Sequence, residues 1–502
     1  MRELTLYDIY KRNSTLHGGR TALRWAADRM TYRDLLIQTD GVAAGLARQG
    51  IARGDRIAIL ANNHYRFFSL FGAAARMGVG LVPLNWRLSD EEIRFILSDA
   101  EPSLLLTDQA HSERAGQTAE GTRLADRIIG LDREAGWPVS LDDMPSEPIE
   151  TLPEGRGSDI FCLIYTAAVA GKPRGAVLSQ SNMVFSNLQT LATLTLGNDD
   201  GYLNSLPLFH ITGLNLSLAV LHAGGENVVV DRFDAEETVR WVTDEGVTVL
   251  GSFPPMLTRV LAACEEDTHR LSSLKHVMGL DAPDVIAAFE AASGAVFWML
   301  YGQTETSGMV TLGPAGERPG TAGRQGLLID YRLVDGNGNA LPTGETGEIV
   351  VRGPLVFQGF WKQGGGLDTS SIIDGWHYTG DLGRLDEDGY LTFGGRKPEK
   401  ELIKPGGENV YPAEVEAVIM EHESVADVSV IGVPDPEFGE GVKAVCVLKP
   451  GAVLTHQELS RFVASRIAGY KKPRYVDFVD RLPKGTDGKT DREAVKKRHG
   501  NP

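Results

Sequence analysis

Cysteine is scarce in this chain. Only Cys162, Cys264 and Cys446 occur among 502 residues, and no two of them form a CxxC pair. A disulfide framework needs several paired cysteines, and a structural zinc site needs clustered thiolates or histidines. The sequence therefore argues against a disulfide-stabilised scaffold and a zinc site, and it predicts a cytoplasmic location.

Positive charge and long apolar runs are also in short supply. The 50 lysines and arginines are outnumbered by 67 acidic residues, which gives a formal net charge of −17. Such a surface repels nucleic acid and anionic membranes, so an anionic ligand must meet a local basic patch. No stretch approaches the ~18 consecutive apolar residues of a membrane span, and the N-terminus lacks a signal-peptide core. We expect small-molecule partners, no nucleic acid and no transmembrane segment.

The chain is several times as long as a typical domain, and its predicted secondary-structure pattern changes along its length. Short apolar segments such as "DRIAIL" and "VTVLGSF" alternate with helical-period stretches, which is typical of parallel sheets covered on both faces. From about Tyr331, Asp-Gly and Asn-Gly turns predict hairpins. The predicted fold class is α/β, with a large N-terminal domain of stacked α/β sheets, an antiparallel β subdomain and a small α+β C-terminal domain. We place the N-terminal domain at 1–396, a hinge at 397–404 and the C-terminal domain at 405–502.

One glycine-rich loop contains the parts of a phosphate site. The stretch "YTAAVAGKPRGA" offers the Thr166 hydroxyl, close backbone approach at Gly171, and the cations Lys172 and Arg174. It does not match GxxxxGK[ST], so a P-loop is not claimed. A plain turn between strands remains the alternative.

Two further motifs carry groups suited to a nucleotide. In "YGQTE", Tyr301 can present a flat face to a base, Thr304 a hydroxyl to phosphate, and Glu305 a hard oxygen to Mg²⁺. In "YTGD", Asp381 could accept the hydroxyls of a ribose, and Arg396 follows fifteen residues later. Each motif could equally be a polar turn.

The motif "LPKGTDGKT" places Lys489 on a Gly-Lys-Thr tip. Only two residues separate Gly485 from Gly488, where a Walker motif requires four, so that interpretation is rejected. By itself the lysine would be an ordinary surface residue.

The ordered set TAAVAGKPRG, PLFHITG, YGQTE, YTGD, GRKPEKELIKPGGENVYPAEVE and LPKGTDGK resembles, along nearly the whole chain, the adenylate-forming enzymes. This superfamily comprises acyl-CoA synthetases, firefly luciferase and the adenylation domains of peptide synthetases. The resemblance implies that the C-terminal domain is mobile and closes in two orientations. It also implies that a carboxylate attacks the α-phosphorus of MgATP to give an acyl-adenylate and pyrophosphate, after which a thiol, usually CoA, displaces AMP.

The resemblance implies a role for each nucleotide motif. The residues matched to phosphate binding are Thr166, Gly171, Lys172, Arg174 and Thr304. Glu305 matches the Mg²⁺-binding glutamate. Tyr301, Gly302 and Asp281 match the adenine-binding segments, and Asp381 and Arg396 match the ribose binders.

The remaining matches concern the acyl and thiol ends of the reaction. His210 matches a residue near the acyl carboxylate, although a packed structural histidine is its alternative. Lys489 matches the lysine that bridges the carboxylate and the α-phosphate, and it would swing away for thioester formation. Gly406 and Gly407 would flank the pantetheine tunnel. Lys400 resembles the hinge residue, with Glu399 and Glu401 as other pivots.

Two departures from the family pattern concern the phosphate end. Residues 167–170 read Ala-Ala-Val-Ala where the family usually has Ser-Gly-Thr-Thr, and each lost donor would cost about 1.5–3 kcal/mol if nothing replaces it. Gln180 stands where many members have histidine.

We therefore predict an ATP-dependent acyl-CoA synthetase that uses ATP, Mg²⁺ and CoA on an apolar aliphatic or aryl acid. The catalytic residues would be Lys489, His210, Thr304 and Glu305. The predicted acid-binding walls are Leu214, Phe253, Pro254, Met256, Met278 and Met309. The alternatives are an adenylating enzyme that passes the acyl group to a carrier protein, and a nucleotide- or acyl-binding protein with an impaired phosphate loop. A homodimer is left open.

Overall fold

The computed structural model describes residues 3–144, 154–166, 173–264, 267–397, 401–484 and 490–502. Several residues singled out in the sequence lie outside these ranges: Gly171, Lys172, Glu399, Lys400 and Lys489, the altered positions 167–170, and Gly485 and Gly488.

The helices of the described residues are α1 (Leu6–His17), α2 (Tyr32–Arg48), α3 (Arg66–Met77), α4 (Asp90–Ala100), α5 (Ser112–Ala119), α6 (Gln180–Leu194), α7 (Ile211–Ala223), α8 (Ala235–Glu245), α9 (Met256–Ala263), α10 (Pro283–Ser293), α11 (Pro412–Met420), α12 (His456–Ala464) and α13 (Arg492–His499).

The strands are β1 (Thr21–Trp25), β2 (Asp28–Thr31), β3 (Arg56–Leu60), β4 (Gly80–Pro83), β5 (Leu104–Thr107), β6 (Ile128–Gly130), β7 (Ile160–Thr166), β8 (Arg174–Ser179), β9 (Gly201–Asn204), β10 (Glu226–Val229), β11 (Val249–Ser252), β12 (His276–Gly279), β13 (Val296–Tyr301), β14 (Thr311–Pro314), β15 (Arg324–Gln325), β16 (Asp330–Val334), β17 (Thr346–Arg352), β18 (Gly359–Trp361), β19 (Leu367–Asp368), β20 (Ile372–Ile373), β21 (Trp376–Leu385), β22 (Leu391–Arg396), β23 (Val425–Asp435), β24 (Gly439–Leu448) and β25 (Tyr475–Phe478).

Two large sheets form the body of the N-terminal domain. One has nine strands in the order β15-β14-β13-β12-β11-β9-β10-β1-β2, and the other has eight in the order β19-β18-β8-β7-β4-β3-β5-β6. Their central neighbours pair in parallel, as expected for strands joined by helical crossovers. A core cluster draws buried side chains from both sheets and from the helices between them, including Leu23, Ile57, Phe68 and Leu218. The predicted α/β class is confirmed.

The predicted antiparallel subdomain is a third sheet, β16-β17-β21-β20, with β22 paired to β21. In the β21–β22 ladder, Asp381 stands directly opposite Arg396. The hairpin therefore brings these two residues together although fifteen positions separate them in the sequence.

The C-terminal part of the chain is a small α+β unit. Its sheet is β23-β24-β25, and α11 and α12 pack on a separate core that includes Val415, Ile419, Val430 and Leu459. Residues 398–400 lie outside the described ranges, so the domain limits stay predictions. None of the helices in the described part of the chain is long and apolar enough to cross a membrane.

Gln180, the residue found in place of the usual histidine, is a packing residue. Its side chain is fully buried, and its Nε2 donates to the Ala75 carbonyl at 2.8 Å while its Oε1 accepts from the Leu6 amide at 3.2 Å. These bonds join α6 to the end of α3 and the start of α1. The amide thus satisfies two buried backbone groups far from each other in sequence.

We expect Gln180→Ala to lower the free energy of unfolding by about 2–4 kcal/mol, because it leaves a buried N–H and a buried carbonyl without partners. Urea unfolding followed by circular dichroism measures this. Gln117→Ala, at an exposed position on α5, is the control and should change stability little. Equal losses in the two variants would contradict the packing role.

Candidate active site

A cavity of about 890 Å³ lies between the N-terminal domain and the C-terminal unit. Side chains of both parts line it. The N-terminal side includes Thr166, Arg174, His210, Thr304 and Glu305, and the C-terminal side includes Gly406, Gly407, Glu408, Tyr470 and Lys472. Nine of the residues predicted from the motifs as nucleotide, acyl or thiol contacts therefore face one space: Thr166, Arg174, His210, Gly302, Thr304, Glu305, Arg396, Gly406 and Gly407.

Two of the residues predicted to bind phosphate lie where β7 ends and β8 begins. Thr166 ends β7 and is paired with Arg174, which begins β8. The Arg174 guanidinium lies over the Phe360 ring, 3.7 Å from its centroid, and forms an ion pair with Asp368. Asp368 carries no sequence motif, so sequence reasoning missed it.

The segment after β13 turns back sharply beneath the cavity. A Cβ at Gly302 would stand 2.0 Å from the Gly308 carbonyl oxygen, so only glycine fits there. This turn places Thr304 and Glu305 on the cavity wall. Mg²⁺ in nucleotide sites takes one or two protein carboxylates together with phosphate oxygens, so a single carboxylate at Glu305 fits that cation.

Asp381 lies under the cavity wall as the centre of a hydrogen-bond network. Its carboxylate accepts from the Tyr301 hydroxyl at 2.9 Å and from the Gln303 side-chain amide at 2.6 Å, and it forms an ion pair with Arg396 Nε at 2.9 Å. It is 1% exposed, whereas Gln303 and Arg396 line the cavity. In this arrangement Asp381 orients the groups that a ligand would meet, and its direct contact with ribose stays a prediction. Gln303 was missed in the sequence, although it stands inside the YGQTE motif.

The predicted adenine residues are placed differently from one another. Tyr301 is 6% exposed, its ring lies 6.0 Å from that of Phe393, and burial together with Asp381 raises the pKa of its hydroxyl. The hydroxyl is therefore a donor rather than a charged group. Asp281 is partly exposed beside the cavity-lining Leu280, and burial raises the pKa of its carboxyl. Their contacts with adenine stay predictions.

His210 connects the two parts of the chain. One of its ring nitrogens lies 3.2 Å from Glu408 Oε1, and Arg87 bonds to the same carboxylate. Burial would raise the pKa of Glu408, but His210 and Arg87 outweigh it and lower that pKa to about 2. Glu408 is therefore ionised at any physiological pH, and it joins the C-terminal unit to the cavity wall of the N-terminal domain. Glu408 and Arg87 were both missed in the sequence.

The two predicted tunnel glycines pass close to the N-terminal wall. A Cβ at Gly406 would lie 3.2 Å from the Pro254 carbonyl oxygen, and one at Gly407 would lie 3.2 Å from the Phe253 ring. Both residues have positive φ, +57° and +86°. Space and backbone conformation therefore both favour glycine at this narrow point.

The predicted acid-binding walls are partly corrected. Phe253, Pro254 and Met256 line the cavity, as do Ile211, Phe233 and Leu300. In contrast, Leu214, Met278 and Met309 are buried in the hydrophobic core. Position beside a motif does not determine which face of a helix or strand a side chain occupies: the Met309 sulfur, for example, lies 3.9 Å from the Thr190 hydroxyl of α6.

The cavity brings the predicted site residues of both parts of the chain together, and comparison with known proteins identifies the family. The model of the AMP-binding enzyme family matches residues 10–361, and that of its C-terminal domain matches 414–489. The chain belongs to the AMP-binding enzyme family.

Relatives over nearly the whole length include a feruloyl-CoA synthase of Amycolatopsis sp, 35% identical over 96% of both chains, and an indoleacetate–CoA ligase of Aromatoleum aromaticum, 32% identical over 98% of both. A solved structure of o-succinylbenzoate CoA synthetase from Bacillus subtilis superposes with a TM-score of 0.86 at 28% identity, covering 99% of this chain and 100% of that one.

These relatives are adenylate-forming CoA ligases, and this chain is accordingly an ATP-dependent, AMP-forming acid–thiol ligase of the acyl- or aryl-CoA synthetase type. Enzymes of this family use ATP, CoA and Mg²⁺.

We expect Asp381→Asn to raise the KM for ATP roughly tenfold or more, because it removes the counter-charge of the partly buried, cavity-lining Arg396 and replaces a purely accepting carboxylate with an amide. Steady-state AMP release at varied ATP concentration measures this. Asp388→Asn, which removes a charge from an exposed ion pair with Arg318, is the control and should leave the KM unchanged. An unaltered KM in Asp381→Asn would refute the orienting role.

Proposed function

We propose that the enzyme converts an apolar carboxylic acid with an aromatic ring into its CoA thioester through an acyl-adenylate. The observation that carries the proposal is the shared cavity, in which nucleotide-type groups of the N-terminal domain face Gly406 and Gly407 of the C-terminal unit. The relatives named above act on ferulate, indoleacetate and o-succinylbenzoate, all of which carry a ring.

The wall composition supports an apolar acid. Ile211, Phe233, Phe253, Met256 and Leu300 line the same cavity as His210. An aromatic ring gains free energy on leaving water for such a surface, at about 25 cal/mol per Å² of apolar area. His210, at the start of α7, lines this cavity and is assigned by resemblance to the region of the acid's carboxylate.

In the first half-reaction a carboxylate is joined to the α-phosphorus of ATP, and pyrophosphate leaves. Charge spreads over the phosphate oxygens in the transition state, so fixed cations and donors should supply most of the catalysis. We assign Thr166, Arg174 and Thr304 to the phosphates, with Gly171 and Lys172 by resemblance. Lys489 is assigned by resemblance to the bridge between the carboxylate and the α-phosphate.

The Mg²⁺ requirement is assigned to Glu305, which would hold the cation against the phosphates. Mg²⁺ would supply charge neutralisation and polarise the phosphoryl oxygens. Thr304, next to it, would donate its hydroxyl to the same phosphates, and Asp381 would keep Gln303 and Arg396 in position beside the nucleotide.

In the second half-reaction a thiol attacks the acyl-adenylate and AMP leaves. We assign the observed arrangement to this step by resemblance, because Gly406 and Gly407, the residues matched to the thiol tunnel, line the cavity next to Phe253 and Pro254. Lys472 and Arg474, which line the cavity from the C-terminal side, are suited to an anionic carrier of the thiol.

A cytoplasmic location is part of the proposal, supported by the three cysteines, all of which are buried and free. Association into a homodimer stays open, and size-exclusion chromatography with light scattering would decide it.

The proposed function predicts that the enzyme releases AMP and pyrophosphate from MgATP with ring-bearing acids such as ferulate, and that CoA is consumed to give a thioester. The assay compares hydroxycinnamates, arylacetates, benzoates and straight-chain fatty acids, each with and without CoA. No AMP release with any acid would refute the enzyme activity. A preference for straight-chain acids would refute the aryl specificity alone, and adenylate formation without thioester would favour a carrier-protein acceptor.

A further inference from the structure

The Arg174 side chain at the edge of the cavity is already paired with a carboxylate of the protein, that of Asp368. Its Nη2 donates to Asp368 Oδ2, and its guanidinium lies flat over the Phe360 ring. Arg174 and Phe360 both line the cavity. The side chains of the ion pair are 40% and 29% exposed, so water and solutes reach both.

Strand pairing in the eight-stranded sheet positions the Asp368 carboxylate beside Arg174. β18 pairs with β8, placing Phe360 opposite Ala176, and β19 pairs with β18, placing Asp368 opposite Phe360. Residues opposite each other on neighbouring strands project from the same face of a sheet. The ring and the carboxylate are thus presented together to the guanidinium at the start of β8.

The hairpin that carries Asp368 is hydrogen-bonded to α4 within the N-terminal domain. Trp361 Nε1 donates to the Asp99 carbonyl at 2.9 Å, and the Gln363 side-chain amide donates to the Ser98 carbonyl at 3.2 Å. The Ser370 amide holds Asp368 Oδ1 at 3.0 Å. The carboxylate is therefore held in place by contacts that do not involve the C-terminal unit.

We propose that Asp368 is a resident counter-anion of Arg174 that the triphosphate of ATP displaces, so that this carboxylate weakens the binding of ATP and eases the departure of pyrophosphate. The proposal rests on the proposed function, in which Arg174 is a phosphate-binding cation. A carboxylate beside the guanidinium competes for its N–H donors and also repels the incoming phosphate charge. Both effects weaken the binding of ATP.

The test is the variant Asp368→Asn, which removes the charge but keeps an oxygen for the Ser370 amide. Titration calorimetry measures the Kd of the magnesium complex of α,β-methylene ATP and that of magnesium pyrophosphate. We expect both ligands to bind about two- to fivefold more tightly, the range that corresponds to a partly exposed ion pair. The KM for MgATP in AMP release should fall by a similar factor.

Two controls separate a local counter-anion from a general charge effect. Asp330→Asn removes the same charge from a 2.6 Å ion pair with Arg352 on the β16–β17 ladder, and it should leave both Kd values unchanged. In an Arg174→Ala background, Asp368→Asn should tighten binding much less or not at all, because the cation for which the carboxylate competes is gone.

Unchanged or weaker binding in Asp368→Asn would overturn the proposal, as would the same tightening in the Arg174→Ala background or in Asp330→Asn. Absence of binding by every variant would also overturn it. Because equilibrium binding does not require turnover, a protein that binds the analogue but releases no AMP with any acid would refute the proposed function separately from this inference.

Discussion

The joining of the two parts of the chain depends on one buried ammonium group. Lys471 is 1% exposed, and its Nζ pairs with Glu92 of α4 and lies 2.7 Å from Glu414 of α11. Burial would lower the pKa of this lysine, but the two carboxylates outweigh it and raise the pKa. A buried charge that loses its partner is costly, typically by about 3–5 kcal/mol. Any rearrangement that separates α4 from the C-terminal unit must therefore expose these groups to water.

Glu92 connects this ion pair to the local structure of the N-terminal domain. Its Oε2 accepts from the Ser89 amide at 2.6 Å in the capping box of α4, and from the Ala468 amide at 3.1 Å. The same carboxylate thus begins a helix in one domain and accepts a backbone bond from the other. Together with the contacts of Glu408 to His210 and Arg87, it holds Gly406 and Gly407 against the cavity.

Much of the fold could be predicted because alternation of short apolar strands and helices is a local property. The pairing of Asp381 with Arg396 was also accessible, since both lie on one hairpin. Contacts between residues far apart in the sequence could not be predicted. Arg174 and Asp368 are 194 positions apart, and His210 and Glu408 are 198 apart, so only the folded chain reveals which charges neutralise each other. Likewise, motif matching gave Asp381 a ligand-binding role, whereas its bonds from Tyr301 and Gln303 and its burial were visible only in three dimensions.

We propose that the observed arrangement serves thioester formation and that a different arrangement, with Lys489 at the cavity, serves adenylation. The decisive measurement is the single-turnover rate of each half-reaction in Glu92→Gln and in Lys489→Ala. We expect Glu92→Gln to slow CoA attack on a preformed acyl-adenylate about tenfold or more and to leave adenylation largely intact, and we expect Lys489→Ala to do the reverse. Equal slowing of both half-reactions in each variant would contradict it.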